Sequence, residues 1–462
     1  MKEVLTNFYY LCPRKILLDH KFNKFVNKTL SRNTMKKFAY LFAVLGLVCM
    51  FTACSSDDDP AIPGAGLPES KTYTATEGLT LQLDGANALG QEVSFERTQD
   101  SKANITIKGA QLDISSLIGG IGGKANATPG LTLPTASVIP GSTQVTIPVD
   151  LTGDANNCTF SGNSETEYCT FAYAGKVSSD ALSLSITDVK LKNTSLAGTY
   201  NLLEFDDKYY NLSRLEWDSD KDLSIELWGS TMELPMKAIL MMTLGGYELV
   251  TIGDEPMNVM EALNAVLKSV TLGEDGSVTA KYCDTKKAGL PETTSPKGIA
   301  QYVVTSNNEL RLILNPSAII ADATKPKADA DASTDITTIL PKLMPVIEEL
   351  LPRMLPMLSQ GFPISYGPAL IDPEEDNNMV PSTDPNFYSF YLNTNTLLPI
   401  LKSVSPLLRD EEVVTWITNA ASSTDDETMA GMAEMLPGVL KSLPDVIDST
   451  TKIELGLQLM KQ

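Results

Sequence analysis

From Lys71 to about Leu196, apolar residues fall on every second position in short, turn-punctuated runs: Leu79, Leu81 and Leu83; Ile105 and Ile107; Val145, Ile147 and Val149; Phe171 and Tyr173; Leu182, Leu184 and Ile186. Side chains alternate across a strand, so such runs bury one face of a sheet and leave the other in water. Helical spacing is nearly absent from the same stretch. The pattern predicts an all-β antiparallel domain over residues 71–195, a sandwich or a barrel.

Residues 196–462 are predicted to form a second, α+β unit, which makes the whole chain α+β and mainly antiparallel. Strands open it at SLAGTYNLLEF (residues 195–205) and recur at Leu223-Ile225-Leu227 and from Glu309 to Asn315, with an amphipathic helix from about Asn258 to Lys268. After Ile320 the sequence DATKPKADADASTD is poor in large apolar residues and reads as a loop. A helical part, residues 336–447, follows. Its prolines repeat at a spacing of seven: Pro345 and Pro352, Pro399 and Pro406, Pro437 and Pro444. Proline opens a helix but disturbs its interior, so each unit is expected to be a short or kinked helix.

On a helical projection Pro341, Pro345, Pro352 and Pro356 fall within about 60°, and the apolar residues between Ile339 and Leu358 take the opposite face. Met344, Ile347, Leu351, Met354, Leu355 and Leu358 on that face are candidates for lining an apolar ligand, methionine being the adaptable member of such a wall. The competing reading is ordinary core packing. Asn315 and Asn393, each after a strand-like run and before a Leu-rich segment, are placed as helix N-caps. The tail, with Ile453, Leu455, Leu457 and Leu459 alternating, predicts a closing strand over 451–459.

Residues 35–53 read as a secretory signal: Lys36 and Lys37, then an apolar run from Phe38 to Ala53, too short to span a bilayer comfortably. Phe51, Thr52, Ala53 and Cys54 resemble a bacterial lipobox, apart from Phe51 where Leu is usual. The resemblance implies lipid on Cys54, and hence a membrane partner through that anchor. The acidic run from Ser55 to Asp59 resembles the export signal of Bacteroidetes surface lipoproteins, the alternative being a plain solvated tether. Residues 1–34 have no place before a signal peptide, which makes Met35 the expected start. Residues 54–70 are expected to be a flexible Pro/Gly tether.

Removing residues 1–53 leaves 27 basic against 55 acidic side chains, a net charge of −28. Nucleic acid is excluded as a partner, since neutralising phosphates needs clustered Lys and Arg. The one histidine of the chain, His20, lies in the removed part. That excludes Ser-His-Asp and Cys-His nucleophile systems and any His-ligated metal. Cys158 and Cys169 flank a turn-rich segment, and a hairpin disulfide between them, adding up to about 3 kcal/mol, is expected in an exported protein. Cys283 is left without a partner and is expected to be buried and inert.

The segments SLAGTYNL, VLKSVTLGEDGSVTAKY, GIAQYVVTSNNELRLILNP, YSFYLNTNTLLPILKSVSPLL and STTKIELGLQL resemble a Bacteroidetes lipoprotein domain of unknown function, covering residues 195–462. The resemblance implies an exported protein of the outer membrane or cell surface and carries no functional residues. A looser likeness, in architecture, is to lipid-binding proteins that wrap a curved antiparallel sheet around a long bent helix.

Other candidate sites fare less well. The segment from Leu117 to Lys124 (LIGGIGGK) lacks the first glycine and the Ser/Thr of a phosphate loop. Asp218, Asp220 and Asp222 start like a calcium loop, but Leu223 and Gly229 stand where Gly and a bidentate Glu are required. Glu374, Glu375, Asp410, Glu411, Asp425 and Asp426 could supply a histidine-free glycoside hydrolase with carboxylates, yet they sit in polar clusters without the burial that raises a general acid's pKa. Trp217, Trp228, Trp416 and the run Phe387-Tyr388-Ser389-Phe390-Tyr391 could stack on sugars or simply fill a core. The sequence thus points to no catalytic residues, no metal and no cofactor. It points to a non-enzymatic binding protein, for a lipid or other apolar ligand first and a glycan second.

Overall fold

A computed structural model describes residues 62–113, 132–202, 213–227, 230–252, 255–285, 289–323, 340–372, 379–422 and 427–462. The signal region with Cys54 and the segment 117–124 lie outside them. The first half folds into two sheets around one apolar core, the sandwich form of the two that the alternation allows. Its strands are β1 (Ser70–Tyr73), β2 (Leu79–Leu83), β3 (Ala86–Asn87), β4 (Gln91–Gln99), β5 (Lys102–Gly109), β6 (Gln144–Asp150), β7 (Thr152–Gly153), β8 (Asn157–Glu165), β9 (Cys169–Ser178) and β10 (Leu182–Leu191). One sheet runs β1-β4-β5-β6 and the other β3-β2-β10-β9-β8-β7. All pairings are antiparallel except β10 with β2, where Leu184 lies beside Leu81 in parallel register. In β6 the burial alternates strictly, with Val145, Ile147 and Val149 inside.

The second half contains a closed ring of eight strands: β11 (Gly198–Leu202), β12 (Leu267–Leu272), β13 (Ser277–Cys283), β14 (Ala300–Ser306), β15 (Glu309–Leu314), β16 (Phe362–Pro368), β17 (Phe387–Leu392) and β18 (Thr450–Lys461). Each pairs antiparallel with the next in sequence. The predicted tail strand does close the unit. The last residues of β18 pair with β11, Leu459 opposite Leu202, while its earlier part pairs with the strand Ser213–Ser219. Closure removes the unpaired edges that an open meander would expose.

Inside the ring the aromatics congregate. The rings of Tyr388 and Phe390 meet Tyr200 edge-on, with centroids 5.8 and 5.2 Å away. Tyr200 is buried and donates to Leu196 O at 2.8 Å. Burial pushes the Tyr200 and Tyr302 hydroxyls well above the ordinary tyrosine range.

The helices include α1 (Met236–Gly245), α2 (Val259–Val266), α3 (Pro316–Ala323), α4 (Leu340–Gln360), α5 (Thr394–Val404), α6 (Glu411–Ser422) and α7 (Glu427–Asp448). Asn393 caps α5 by accepting from Thr396 N, and Asn315 accepts from Ala318 N at 3.1 Å at the start of α3, both as the sequence implies. Asn258 and Glu261 form a reciprocal capping box on α2. Pro399 lies in the short α5, as expected, and Pro406 in the 3-10 turn that follows it, but the other two proline-bearing segments form longer helices than expected. α4 runs unbroken through Pro341, Pro345, Pro352 and Pro356, and α7 through Pro437 and Pro444. Pro352 and Pro356 do face solvent. Part of the helical layer packs with Trp217, Leu223, Ile225 and Ile453 in a second apolar cluster containing Val446, Ile447, Leu397 and Leu401. Among the described residues no helix is long and apolar enough to cross a membrane.

Ala61–Gln462 forms one compact unit. A continuous apolar core reaches from Phe95 and Ile105 in the sandwich to Tyr302, Val303 and Leu459 in the ring. The presumed tether is shorter than its composition implies. Gly64 N and Gly66 N donate to Asp154 O and Ala155 O, Arg97 holds the carbonyls of Gly64 and Ala65, and Leu67 is buried. Pro/Gly content gives a chain turns, and here those turns are laid against the sandwich.

The expected disulfide is absent: Cys158, Cys169 and Cys283 are free thiols. The hairpin register explains why. Cys158 lies opposite Val177 at the far end of the hairpin, whereas Cys169 lies beside its turn, where Thr170 faces Glu165. The two are separated by roughly 25 Å of strand, and a disulfide needs Cα atoms within about 7 Å. Both are fully buried, and burial pushes both thiols up. Iodoacetamide without reductant is expected to label both cysteines in 6 M guanidinium and neither in the native protein; an unlabelled pair after denaturation would restore the disulfide. Cys283 is half-buried.

Candidate functional site

The turn between β2 and β3 is a two-residue loop, Asp84-Gly85, with φ +48° and +82° and Leu83 paired to Ala86. Such double positive φ is the geometry that twists with its strands, and Asp-Gly adopts it readily. The loop brings Asp84 and Asn87 toward the outer face of the ring. There Ser277 of β13, Gln301 of β14 and Ile313 of β15 stand on one side of the wall, being cross-strand partners in sequence. The segment 136–138 and Val189 of β10 complete the sandwich side, and Ala318 of α3 completes the other.

Between them is a cavity of about 340 Å³, lined among others by Leu83, Ala88, Leu89, Val138, Val189, Ile299, Ile313 and Leu314. Two buried amides hold its walls. Gln91 donates to Ala136 O at 3.1 Å and accepts from Val138 N at 2.8 Å. Gln301 donates to Val138 O at 2.7 Å across the boundary between sandwich and ring. Further ties are Leu191 N to Glu274 O at 2.8 Å and Asn315 Nδ2 to Leu89 O at 3.2 Å. Leu89, at the lip, leaves 45% of its surface in water.

Polar chemistry gathers at one end. Asp275 accepts from the Ser277 backbone N at 3.0 Å and hydroxyl at 2.5 Å, and pairs with Lys297 at 2.8 Å. Burial works to raise the Asp275 pKa, but the hydrogen bonds from Lys297 and Ser277 outweigh it and hold the carboxyl below its ordinary value. The hydrogen bond from Lys297 to Asp275 raises the lysine in turn. Gly276, at φ +80°, makes this turn close against the sandwich: a Cβ there would lie 2.9 Å from Pro140 Cγ.

A second, open cavity of about 380 Å³ lies between α4 and α5, lined by Glu349, Arg353, Thr394, Asn395, Leu398, Pro399, Lys402 and Ser403. It is a polar groove. Ser403 donates to Glu349 at 3.0 Å.

Of the helix residues expected to line an apolar site, Met354, Leu355 and Leu358 are the ones whose side chains are described, and none of the three lines either cavity. Met354 points to solvent, 36% exposed, and Leu355 and Leu358 are half-buried on a helix that packs against β15 and β16. Met344, Ile347 and Leu351 belong to α4, but their side chains lie outside what the structure describes.

Some of the other candidates take structural roles. Asp410 caps α6 by accepting from Glu412 N at 2.9 Å. Glu374, Glu375, Asp425 and Asp426 lie outside the described residues, and so does Trp228. Trp217 is buried and donates to Thr450 Oγ1 at 2.8 Å, Trp416 is half-buried, and the guanidinium of Arg214 covers Tyr391 at 4.0 Å. Asp218 lies in the strand Ser213–Ser219 opposite Lys452, Asp220 and Asp222 follow it, and no group of three His, Cys, Asp or Glu among the described residues is arranged to hold a metal.

The residues that do build the cavity come from separate segments of the chain, which no local spacing connects. Asp84-Gly85 carries an Asp-Gly turn signal and residues 273–277 (GEDGS) another, but no spacing tells that the two meet. No family model, curated protein or solved structure matches the chain.

Proposed function

We propose that this protein is an exported lipoprotein, anchored at the outer membrane or cell surface by lipid on Cys54, that binds a small, mainly apolar molecule without transforming it. The observation that carries the reading is the cavity of about 340 Å³ between sandwich and ring, apolar along most of its wall. Small-molecule sites are of this kind: concave, a few hundred Å³ in volume, apolar, with a few placed polar groups.

Titration of the chain from Ser55 onward with pyrene, whose emission reports the polarity around it, tests the reading. Saturable binding in an apolar environment is expected, and Ala318→Trp or Ala88→Trp, which fill the cavity from opposite sides, should each weaken it at least tenfold. Binding unchanged in both variants would overturn the assignment of the site.

A further inference from the structure

Three charged side chains face this cavity, and they do not balance. Asp84 and Asp275 line it together with Lys297, while the remaining lining residues among those described are neutral. Lys297 is committed to Asp275 at 2.8 Å and also feels the field of Asp84. Asp84 is exposed on its turn, and no described side chain pairs with it. One lysine therefore serves two carboxylates, and the polar end of an otherwise apolar cavity carries a surplus negative charge. The mature chain's net charge of −28 adds a field of the same sign.

We infer that the occupant is an amphiphile with a cationic head: an apolar body against Val138, Val189 and Ile313, and an ammonium-type group between Asp84 and Asp275. The inference rests on the cavity being the binding site. A carboxylate head would meet Asp84 at the same place and would have to displace Asp275 from Lys297 to find a partner. An opposite charge at a partly exposed site is worth about tenfold in affinity, and salt screens it.

The test is displacement of pyrene from the chain beginning at Ser55 by decylamine, decanol and decanoate at pH 7 and low ionic strength. Decylamine is expected to bind about tenfold more tightly than decanoate, with decanol between them. Asp84→Asn, which keeps the turn because Asn-Gly adopts the same geometry, should shrink the amine's advantage severalfold, as should 0.5 M salt. Equal affinities, or decanoate the tightest, with pyrene still bound and still blocked by Ala318→Trp, would overturn the cationic head and leave the cavity reading standing. Pyrene that fails to bind would remove both.

Discussion

Gly456→Val is expected to cost about 3 kcal/mol or to prevent folding altogether, although it only adds a small side chain to a strand. Gly456 sits in β18 between Tyr391 of β17 and Arg214 of the strand Ser213–Ser219. A Cβ there would press on the carbonyl oxygen of Phe390 and lie 2.5 Å from Tyr391 Cα. Backbone cannot swing aside as a lysine tip can, so β17 and β18 must separate. That register also carries Tyr388 and Phe390 toward Tyr200, and it holds the strand that closes the ring. Urea unfolding followed by tyrosine and tryptophan fluorescence should show the midpoint falling sharply for Gly456→Val and less for Gly456→Ala. A midpoint unchanged in both would mean that the ring is not closed through this pairing.

The second large effect is expected at Gln91, a residue with no charge and no exposed surface to speak of. Its amide satisfies Val138 N and Ala136 O inside the protein, and Val138 O is satisfied in turn by Gln301. Gln91→Leu keeps the volume but strands two buried backbone groups. Each such group costs about 1–3 kcal/mol, so a loss of about 2 kcal/mol or more follows. Gln301→Leu strands one and should cost about half as much. Because both amides brace the segment 136–138, pyrene binding should weaken in the same order as stability. Stability lost with pyrene affinity intact would show that this segment is not part of the binding wall.

Much of the fold was legible because burial acts on one strand at a time. Val145, Ile147 and Val149 alternate with polar residues since only one face of β6 meets a core; Ile453, Leu455, Leu457 and Leu459 announced β18 by the same spacing, although Leu455 is exposed and Gln458 buried. Asn315 and Asn393 were readable as caps because the interaction spans three residues. That the closing strand completes a ring by pairing with β11 was not readable. The pairing joins Leu202 to Leu459, and nothing local distinguishes a strand that pairs at such a distance from one left at an edge. In β14 Gln301, Tyr302, Val303 and Val304 are all buried, because the ring interior takes one face and the sandwich side the other, so the alternation that marks half-buried strands disappears.

The candidate site failed to show in the sequence for a related reason. A Leu/Met stripe on a helix looks the same whether it faces a ligand or neighbouring strands, and Leu355 and Leu358 belong to a helix packed on β15 and β16. Cys158 and Cys169 misled similarly. Spacing alone left open which residue lies across the hairpin, and the register gives Cys158 to Val177. The apolar cavity arises where two folded halves meet, from Asp84, Val138, Val189, Asp275, Gln301 and Ala318, each unremarkable in its own segment.

The central claim is that the cavity between sandwich and ring holds an apolar molecule in the cell. Native mass spectrometry with lipid extraction, on the form from Ser55 onward purified from its own cells beside its Ala318→Trp variant, tests this most directly. A stoichiometric apolar adduct on the unaltered chain that is missing from the variant is the predicted result. A clean apo mass for the unaltered chain, or the same adduct on both, would contradict it.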